Sequence, residues 1–138
     1  VHGAVQFMGG AVKAQLGVPD MRLPIQYAFA FPQRLTLDGD RLNLFETKKL
    51  EFFEPDMDRF PCLRLAYEAI HKGGNKPCIL NAANEVANAA FRQGKLSFYG
   101  MADVIEKTMQ QATYDKAPSM QALFATDSEA RNIANRLI

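Results

Sequence analysis

Residues 14–25 read AQLGVPDMRLPI, and within them a strand pattern gives way to a helix pattern. Gly17 permits backbone angles that other residues avoid, while Pro19 and Pro24 each fix φ at about −65°. These constraints predict a turn with one defined shape. Two interpretations stay open: an ordinary connection between a strand and a helix, or a wall of a binding site.

The residues before this turn predict a β-hairpin. Residues 1–8 alternate between two faces, and residues 11–16 form a second short run. The pair Gly9-Gly10 between the two runs is a signal for a two-residue hairpin turn. Because the chain begins at Val1, inside a strand pattern, we expect it to be a piece of a longer protein.

After the turn, the pattern predicts a helix and then an extended connector. Pro24 suits the first helical turn, where its missing N–H costs nothing, and Pro32 ends the apolar stripe. Residues 33–55 carry apolar residues spaced two apart on either side of a turn at residues 38–40. A flexible linker lacks apolar residues at that density, so we predict a connector that lies against a surface with brief strand pairing.

From Pro55 onward the apolar residues recur at helical spacing. The first helix carries the apolar residues Leu63, Leu65, Ala66, Ala69 and Ile70. Helices of this length joined by short loops make a small antiparallel bundle. The four predicted helices run from Pro61 to Gly73, from Pro77 to Gly94, from about residue 100 to 112, and from about Pro118 onward with a break near Thr126.

The predicted fold class is therefore α+β. It comprises a hairpin and helix over residues 1–32, an extended connector over residues 33–55 and a C-terminal four-helix bundle over residues 56–138. A chain of 138 residues is long enough for one ordinary domain or two small ones.

Charge and cysteine content exclude several classes of protein. Sixteen basic residues against fifteen acidic ones leave a net charge of +1, which argues against a nucleic-acid groove or an anionic membrane surface. Two cysteines are too few for a disulfide scaffold, and two histidines are too few for a zinc cluster. Because no run reaches the ~18 apolar residues of a membrane span, we expect a cytoplasmic protein.

Three polar residues in the second predicted helix form one candidate site. Asn81, Asn84 and Glu85 lie three and four residues apart, so they share one face of a helix that is otherwise apolar. They indicate either a ligand or metal site or, as we favour, groups that dock the connector onto the helices. No second carboxylate on that face completes an acid–base or metal pair.

The turn and the first strand offer the other candidate groups. Arg22 is suited either to holding a phosphate or carboxylate or to pairing with Asp20, and Met21 gives an adaptable apolar surface for a flat ring. His2 is either a structural donor or a catalytic group. No nucleophile–base pair, glycine-rich phosphate loop or metal triad accompanies them, so we predict part of a site and no metal ligands on this chain.

Several motifs together resemble one enzyme family. VHGAVQFMGGAVKAQLGVPDMRLPI over residues 1–25 is followed by DRFPCLRLA at 58–66, LNAANE at 80–85 and ARNIA at 130–134. In this order they are similar to the C-terminal portion of 1-deoxy-D-xylulose 5-phosphate reductoisomerase, over essentially the whole chain. The sequence departs from the usual family pattern at Gly3, where serine is usual, and at Gly9-Gly10, where Asp-Gly is usual.

The resemblance implies an activity and a site. Such enzymes are bacterial homodimers that convert 1-deoxy-D-xylulose 5-phosphate to 2-C-methyl-D-erythritol 4-phosphate in non-mevalonate isoprenoid biosynthesis, with NADPH and Mg²⁺ or Mn²⁺. Residues 1–32 then end an α/β catalytic domain, His2 is a catalytic residue, and Pro19 and Met21 bind the cofactor. The family's NADPH loop and metal ligands lie upstream of these motifs, so this chain alone is expected to bind neither group and to be inactive.

One alternative comes from a different class of protein. The chain is then a stand-alone helical module for protein interactions, whose hairpin pairs with a strand of its partner. In neither case do we expect a nucleic-acid or membrane partner; the enzyme's partner is a small sugar phosphate.

Overall fold

A β-hairpin opens the chain in the computed structural model, which describes residues 1–138. Strand β1 (Gly3–Gln6) pairs antiparallel with strand β2 (Val12–Gln15), in a register that sets Gly3 opposite Gln15. These two strands form the only sheet.

The hairpin turn is one residue longer than the Gly9-Gly10 pair predicts. The Phe7 N–H donates to the Ala11 carbonyl oxygen at 2.8 Å, which leaves residues 8–10 as the loop. Three-residue hairpin loops need a residue with positive φ at their end, and Gly10 supplies it with a φ of 85°. The two-residue turn was therefore a wrong prediction, although the hairpin itself forms.

Helix α1 (Arg22–Ala30) follows the turn, with Pro24 in its first helical turn. Asp20 fixes its start, because the carboxylate accepts a hydrogen bond from the Arg22 N–H at 2.9 Å. This is the way in which a capping side chain satisfies a free N–H at the beginning of a helix. The helix ends before Pro32.

Helix α2 (Leu44–Thr47) is a single turn in the region for which strand pairing was predicted. That prediction is wrong, because Asn43 caps a helix there. Its Oδ1 accepts from the Phe45 N–H at 3.0 Å, and its Nδ2 donates to Glu46 Oε1 at 2.8 Å. A capping residue followed three positions later by Glu is a helix start signal, and here it outweighs the alternating leucines.

The chain after α1 runs back along that helix. Gln26 Nε2 donates to the Thr36 carbonyl oxygen at 2.9 Å, and the Arg34 guanidinium lies 3.5 Å from the centre of the Tyr27 ring. A cation at that distance from an aromatic face is attracted to it. Residues 1–52 thus form one compact unit, although none of its residues is buried.

Residues 53–138 form a second unit of four packed helices. Helix α4 packs against the other three, and its alanines Ala82, Ala83 and Ala87 are fully buried. Small side chains at these positions let the neighbouring helices approach closely. None of the six helices has the length and apolar character that crossing a membrane requires. The four helices of this unit are α3 (Pro61–Lys72), α4 (Lys76–Arg92), α5 (Phe98–Gln111) and α6 (Met120–Arg136).

Helix α3 buries only part of its apolar face. Leu65 and Ala69 are buried, whereas Leu63 and Ile70 are 38% and 69% exposed. An apolar stripe predicts that a helix packs against something, but it does not say how much of the stripe is covered. Since α3 packs only on α4 and α5, Leu63 and Ile70 remain exposed.

Asn75, in the connection between α3 and α4, ties three segments of the second unit together. Its Nδ2 donates to the Thr113 carbonyl oxygen at 2.9 Å and to Thr126 Oγ1 at 3.1 Å. Its Oδ1 accepts from the Asp115 N–H at 2.9 Å, and its own backbone N–H donates to the Asp115 carbonyl oxygen at 2.9 Å. Thr126 is thereby satisfied inside a continuous α6, so the predicted helix break at that residue is wrong.

Candidate functional site

A cleft in the first unit brings His2, Pro19 and Met21 together. It has a volume of about 410 Å³ and lies between the start of the hairpin and the turn that leads into α1. The residues that line it are Val1, His2, Gln15, Gly17, Val18, Pro19, Asp20, Met21, Leu23 and Pro24. All three residues that the resemblance marks as site residues are therefore neighbours in space.

His2 lies where the hairpin reaches the cleft. Its backbone N–H donates to the Gln15 carbonyl oxygen at 2.9 Å, which extends the pairing of β1 and β2 by one residue. The side chain is exposed, and the imidazole makes no hydrogen bond within the chain. The hairpin thus fixes the backbone of His2 and leaves its ring available to a molecule in the cleft.

Asp20 and Arg22 form a bidentate ion pair on either side of Met21. Arg22 Nε lies 3.0 Å from each carboxylate oxygen of Asp20, and Arg22 Nη2 lies 2.6 Å from Oδ2. These hydrogen bonds from Arg22 hold the pKa of Asp20 below its ordinary value, so the carboxyl group is ionised at neutral pH. Of the two interpretations of Arg22, the structure shows the pairing with Asp20.

Pro19 and Met21 give the cleft an apolar wall. Both are exposed, and Met21 presents 65% of its surface to solvent. A thioether is polarisable and makes favourable contacts with aromatic rings, and proline is rigid. This wall is therefore suited to a flat ring that lies against it.

The chain does not assemble a metal site. No three His, Cys, Asp or Glu side chains come together in a group that would hold a metal ion. The one carboxylate that lines the cleft, Asp20, is already occupied by Arg22. The residues of the cleft thus fit a planar organic group and do not fit a metal ion.

Neither cysteine is activated as a nucleophile. Burial raises the pKa of the Cys62 thiol. Burial, with a smaller effect of the Asp127 charge, raises the pKa of Cys78 as well. The Cys78 thiol donates to the Leu123 carbonyl oxygen at 3.5 Å, which gives it a packing role between α4 and α6.

The three polar residues of α4 that form the candidate site, Asn81, Asn84 and Glu85, are exposed. Glu85 Oε2 accepts from Arg131 Nη2 of α6 at 2.6 Å, and Glu85 Oε1 accepts from Asn81 Nδ2 at 3.3 Å. The hydrogen bond from Arg131 holds the pKa of Glu85 below its usual value. The structure therefore places Glu85 in the contact between α4 and α6, and Asn84 is exposed. Docking of the connector by these residues stays a prediction.

Gln15, Val18 and Leu23 also line the cleft, and no sequence pattern singles them out as site residues. The position of Gln15 follows from the strand register, because it lies opposite Gly3 and next to His2 across the hairpin. The signal for it is thus the hairpin rather than the residue itself. Val18 and Leu23 flank the turn, where an apolar residue carries no chemical signal of its own.

A cleft with an apolar wall on a hairpin–helix unit, followed in the chain by an all-helical unit, is the arrangement that the family resemblance predicts for the C-terminal part of such a protein. A sequence model of the family described as DXP reductoisomerase C-terminal domain matches residues 16–133. The chain belongs to the 1-deoxy-D-xylulose 5-phosphate reductoisomerase family, as its motifs predict. The family match does not favour the alternative of a stand-alone interaction module.

Curated relatives match over the whole chain. It is 57% identical to the 1-deoxy-D-xylulose 5-phosphate reductoisomerase of Bacteroides thetaiotaomicron and covers 35% of that protein. It is 46% identical to 1-deoxy-D-xylulose 5-phosphate reductoisomerase 1 of Bacillus cereus and covers 36% of it. The chain thus spans about a third of the length of these relatives.

Solved structures of the family share the fold. The Zymomonas mobilis enzyme, in complex with NADPH, is 40% identical with a TM-score of 0.89 over 99% of this chain and 36% of its own. A reductoisomerase in complex with NADPH, fosmidomycin and magnesium is 31% identical, with a TM-score of 0.83 over 97% of this chain and 35% of its own. They confirm the α+β class: mostly helix with one small sheet.

Proposed function

We propose that this chain forms part of a 1-deoxy-D-xylulose 5-phosphate reductoisomerase that makes 2-C-methyl-D-erythritol 4-phosphate for isoprenoid biosynthesis. The observation that carries the proposal is the cleft formed by His2, Pro19 and Met21 in a chain of this family. Solved relatives hold NADPH, and one of them also holds magnesium and fosmidomycin. A flat apolar wall of the kind described above suits the nicotinamide ring.

The proposal assigns a role to each part of the chain. Residues 1–32 belong to the catalytic domain, residues 33–55 connect that domain to the helical one, and residues 56–138 are the C-terminal four-helix domain. The enzyme uses Mg²⁺ or Mn²⁺, whose ligands we place in the part of the enzyme that this chain does not include, because the carboxylate in the cleft is engaged by Arg22. The whole enzyme is a cytoplasmic homodimer in this proposal.

The cleft residues bind and orient rather than react covalently. When bound, NADPH supplies the hydride that reduces the aldehyde formed by isomerisation of the sugar phosphate. Met21 and Pro19 lie against one side of the ring and exclude water from it, which favours a single orientation. His2 is placed at the edge of the cleft, where its free imidazole donates a hydrogen bond to the substrate or takes one from it.

Replacing Met21 with glutamate tests this role. We expect M21E to lower kcat/KM for NADPH roughly tenfold or more, because sulfur–ring contacts are worth about 0.3–1.5 kcal/mol and a carboxylate there loses hydration as well. The measurement is steady-state NADPH oxidation by a hybrid enzyme. In this hybrid reductoisomerase, the chain replaces the residues that it matches in the Bacteroides thetaiotaomicron enzyme.

Met120→Glu is the matched control, since Met120 is a 70% exposed methionine in the second unit. It introduces the same charge at similar exposure and is expected to leave NADPH kinetics unchanged. Equal kinetics for M21E, M120E and the unchanged hybrid would remove Met21 from the cofactor site.

The isolated 138-residue chain is expected to be inactive. The chain spans about a third of the length of its relatives. The reaction needs the cofactor-binding and metal-binding residues of the rest of the enzyme, so the isolated chain should not catalyse it. The measurement is NADPH oxidation with sugar phosphate and Mg²⁺, for the isolated chain and for the hybrid reductoisomerase at equal concentration. Turnover by the isolated chain contradicts this part of the proposal, whereas an inactive hybrid contradicts the assignment of the chain to this enzyme.

A further inference from the structure

We propose that Asp20 and Arg22 are a positioning pair, which holds Met21 in the orientation that the cofactor ring needs. This inference rests on the proposed function, because it concerns the same cleft. It goes beyond that function because it assigns a positioning role to Asp20 and Arg22, which do not form the apolar wall of the cleft.

The pair closes a loop of hydrogen bonds around a single residue. The carboxylate of Asp20 accepts from the backbone N–H of Arg22 at 2.9 Å and from Nε and Nη2 of the same side chain at 3.0 and 2.6 Å. Met21 is the one residue enclosed, and the peptide unit that follows it is held through the Arg22 N–H. The backbone bond fixes the first turn of α1, and the bidentate bond fixes the two side chains against each other.

The connector passes close to this pair at Gly39. A side chain at Gly39 would place its Cβ 3.4 Å from Arg22 Nη2, and Gly39 has a φ of 144° that other residues rarely adopt. The backbone of residue 39 therefore passes close to the guanidinium and limits the positions that Arg22 can take. The orientation of Arg22 is set by its hydrogen bonds to Asp20, with the backbone of residue 39 close to the guanidinium.

Two other roles for the pair are disfavoured by the same geometry. A stability role is weak, because the Arg22 side chain is 65% exposed and exposed ion pairs contribute little to folding. An anion-binding role is weak as well, because the donors of the guanidinium fork that suit a phosphate are already directed at Asp20. The remaining role of the Asp20–Arg22 pair is to fix the position of Met21.

The test compares D20A and R22Q with the double variant D20A/R22Q in the hybrid reductoisomerase. Each single variant is expected to raise the KM for NADPH about tenfold, since small misplacements of a contact are costly to a bound reactant. The KM for the sugar phosphate is expected to stay unchanged for both variants. The thermal midpoint is expected to stay unchanged for R22Q and to fall slightly for D20A, which also loses the hydrogen bond from the Arg22 N–H. The double variant is expected to raise the KM for NADPH no more than D20A alone, because D20A already removes every side-chain hydrogen bond that R22Q removes.

Two further variants test the geometry of the pair. R22K keeps the charge but not the bidentate fork, so it is expected to recover only part of the NADPH affinity. E51Q breaks the exposed Lys49–Glu51 ion pair, whose residues lie two apart in the chain, as Asp20 and Arg22 do. It is expected to leave the KM for NADPH and the thermal midpoint unchanged.

The outcomes separate this inference from the proposed function. If M21E impairs NADPH kinetics while D20A and R22Q do not, the positioning pair is wrong and the proposed function stands. If the three variants all leave NADPH kinetics unchanged, Met21 is not in the cofactor site and the positioning pair is wrong with it, whereas only an inactive hybrid reductoisomerase contradicts the proposed function. A fall in thermal midpoint with equal losses for both substrates would make the pair structural and would also overturn the inference.

Discussion

Gly74→Ala is expected to be among the most destabilising single substitutions in the helical unit. Gly74 has a φ of 60°, and a Cβ built on it would lie 2.2 Å from the Asp115 carbonyl oxygen and 3.0 Å from Lys116 Cα. The left-handed backbone costs about 1–2 kcal/mol for a residue with a Cβ. Overpacking against backbone adds about 1–3 kcal/mol. We therefore expect the free energy of unfolding to fall by about 2–5 kcal/mol.

The clash cannot be relieved locally, because the Asp115 carbonyl oxygen already accepts from the Asn75 N–H at 2.9 Å. Moving that carbonyl away from a new methyl group breaks a hydrogen bond that joins the α3–α4 connection to the chain after α5. Urea unfolding of the 138-residue chain, followed by circular dichroism of its helices, measures the loss.

Gly94→Ala is the matched control for this prediction. Gly94 also has a positive φ, 73°, but a Cβ on it would meet nothing within 4 Å. Gly94→Ala should therefore lower the free energy of unfolding only by the cost of the left-handed backbone, about 1–2 kcal/mol. Equal losses for G74A and G94A would show that the approach of residues 74 and 115 is not a tight contact.

The helices of the second unit are the part of the fold that the sequence predicts well. Helices α3 and α4 each have a proline in the first turn, at Pro61 and Pro77, and a glycine just after the end, at Gly73 and Gly94. These residues act through their own backbone preferences, so they mark the helix ends without any knowledge of distant contacts.

The predictions that were wrong concern contacts with residues distant in the chain or competing local signals. The polar pair at Thr126-Asp127 suggests a break in α6, yet Thr126 is satisfied by Asn75, 51 residues earlier. At α2, the cap made by Asn43 competes with the alternating leucines, and the local hydrogen bonds decide the result. The sequence also leaves the exposure of Ile70 open, because the period of its own residues does not specify what covers α3.

The candidate site was predictable in part. Residue chemistry marks Met21 as a surface for a flat ring, and the family resemblance adds His2 and Pro19. The pairing of Arg22 with Asp20 stays open in the sequence, because an arginine two residues after an aspartate is equally suited to an outside anion. The bidentate geometry decides between them, and it depends on side-chain orientation rather than on residue type.

Asn75→Ala is expected to destabilise the helical unit by about 1–3 kcal/mol, the cost of leaving a buried polar group without a partner. Asn75 is 1% exposed. Removing its amide leaves the Asp115 N–H and the Thr113 carbonyl oxygen without this partner, and Thr126 Oγ1 loses a donor. The measurement is the urea unfolding used for G74A.

Asn88→Ala, on the exposed side of α4, is the control and should change stability by no more than about 0.5 kcal/mol. A loss at Asn75 no larger than that at Asn88 would mean that water replaces the amide without cost. Because G74A and N75A disturb the same contact with Asp115, their double variant should lose less than the sum of the two.

Asn75→Asp converts the same junction into a pH-dependent one. The carboxyl oxygen that replaces Nδ2 faces the Thr113 carbonyl oxygen, so only the protonated acid can donate there. The pKa of this carboxyl group is therefore raised in the folded state, and between its unfolded and folded values the native protein binds the extra proton. Stability then falls as pH rises through that interval, so N75D should unfold at lower urea at pH 7 than at pH 4, relative to the unchanged chain. Asn88→Asp adds the same carboxyl group in solvent, so its stability should not fall between pH 4 and pH 7 in this way. If the stability of N75D does not depend on pH either, the Thr113 carbonyl oxygen does not face the side chain of residue 75.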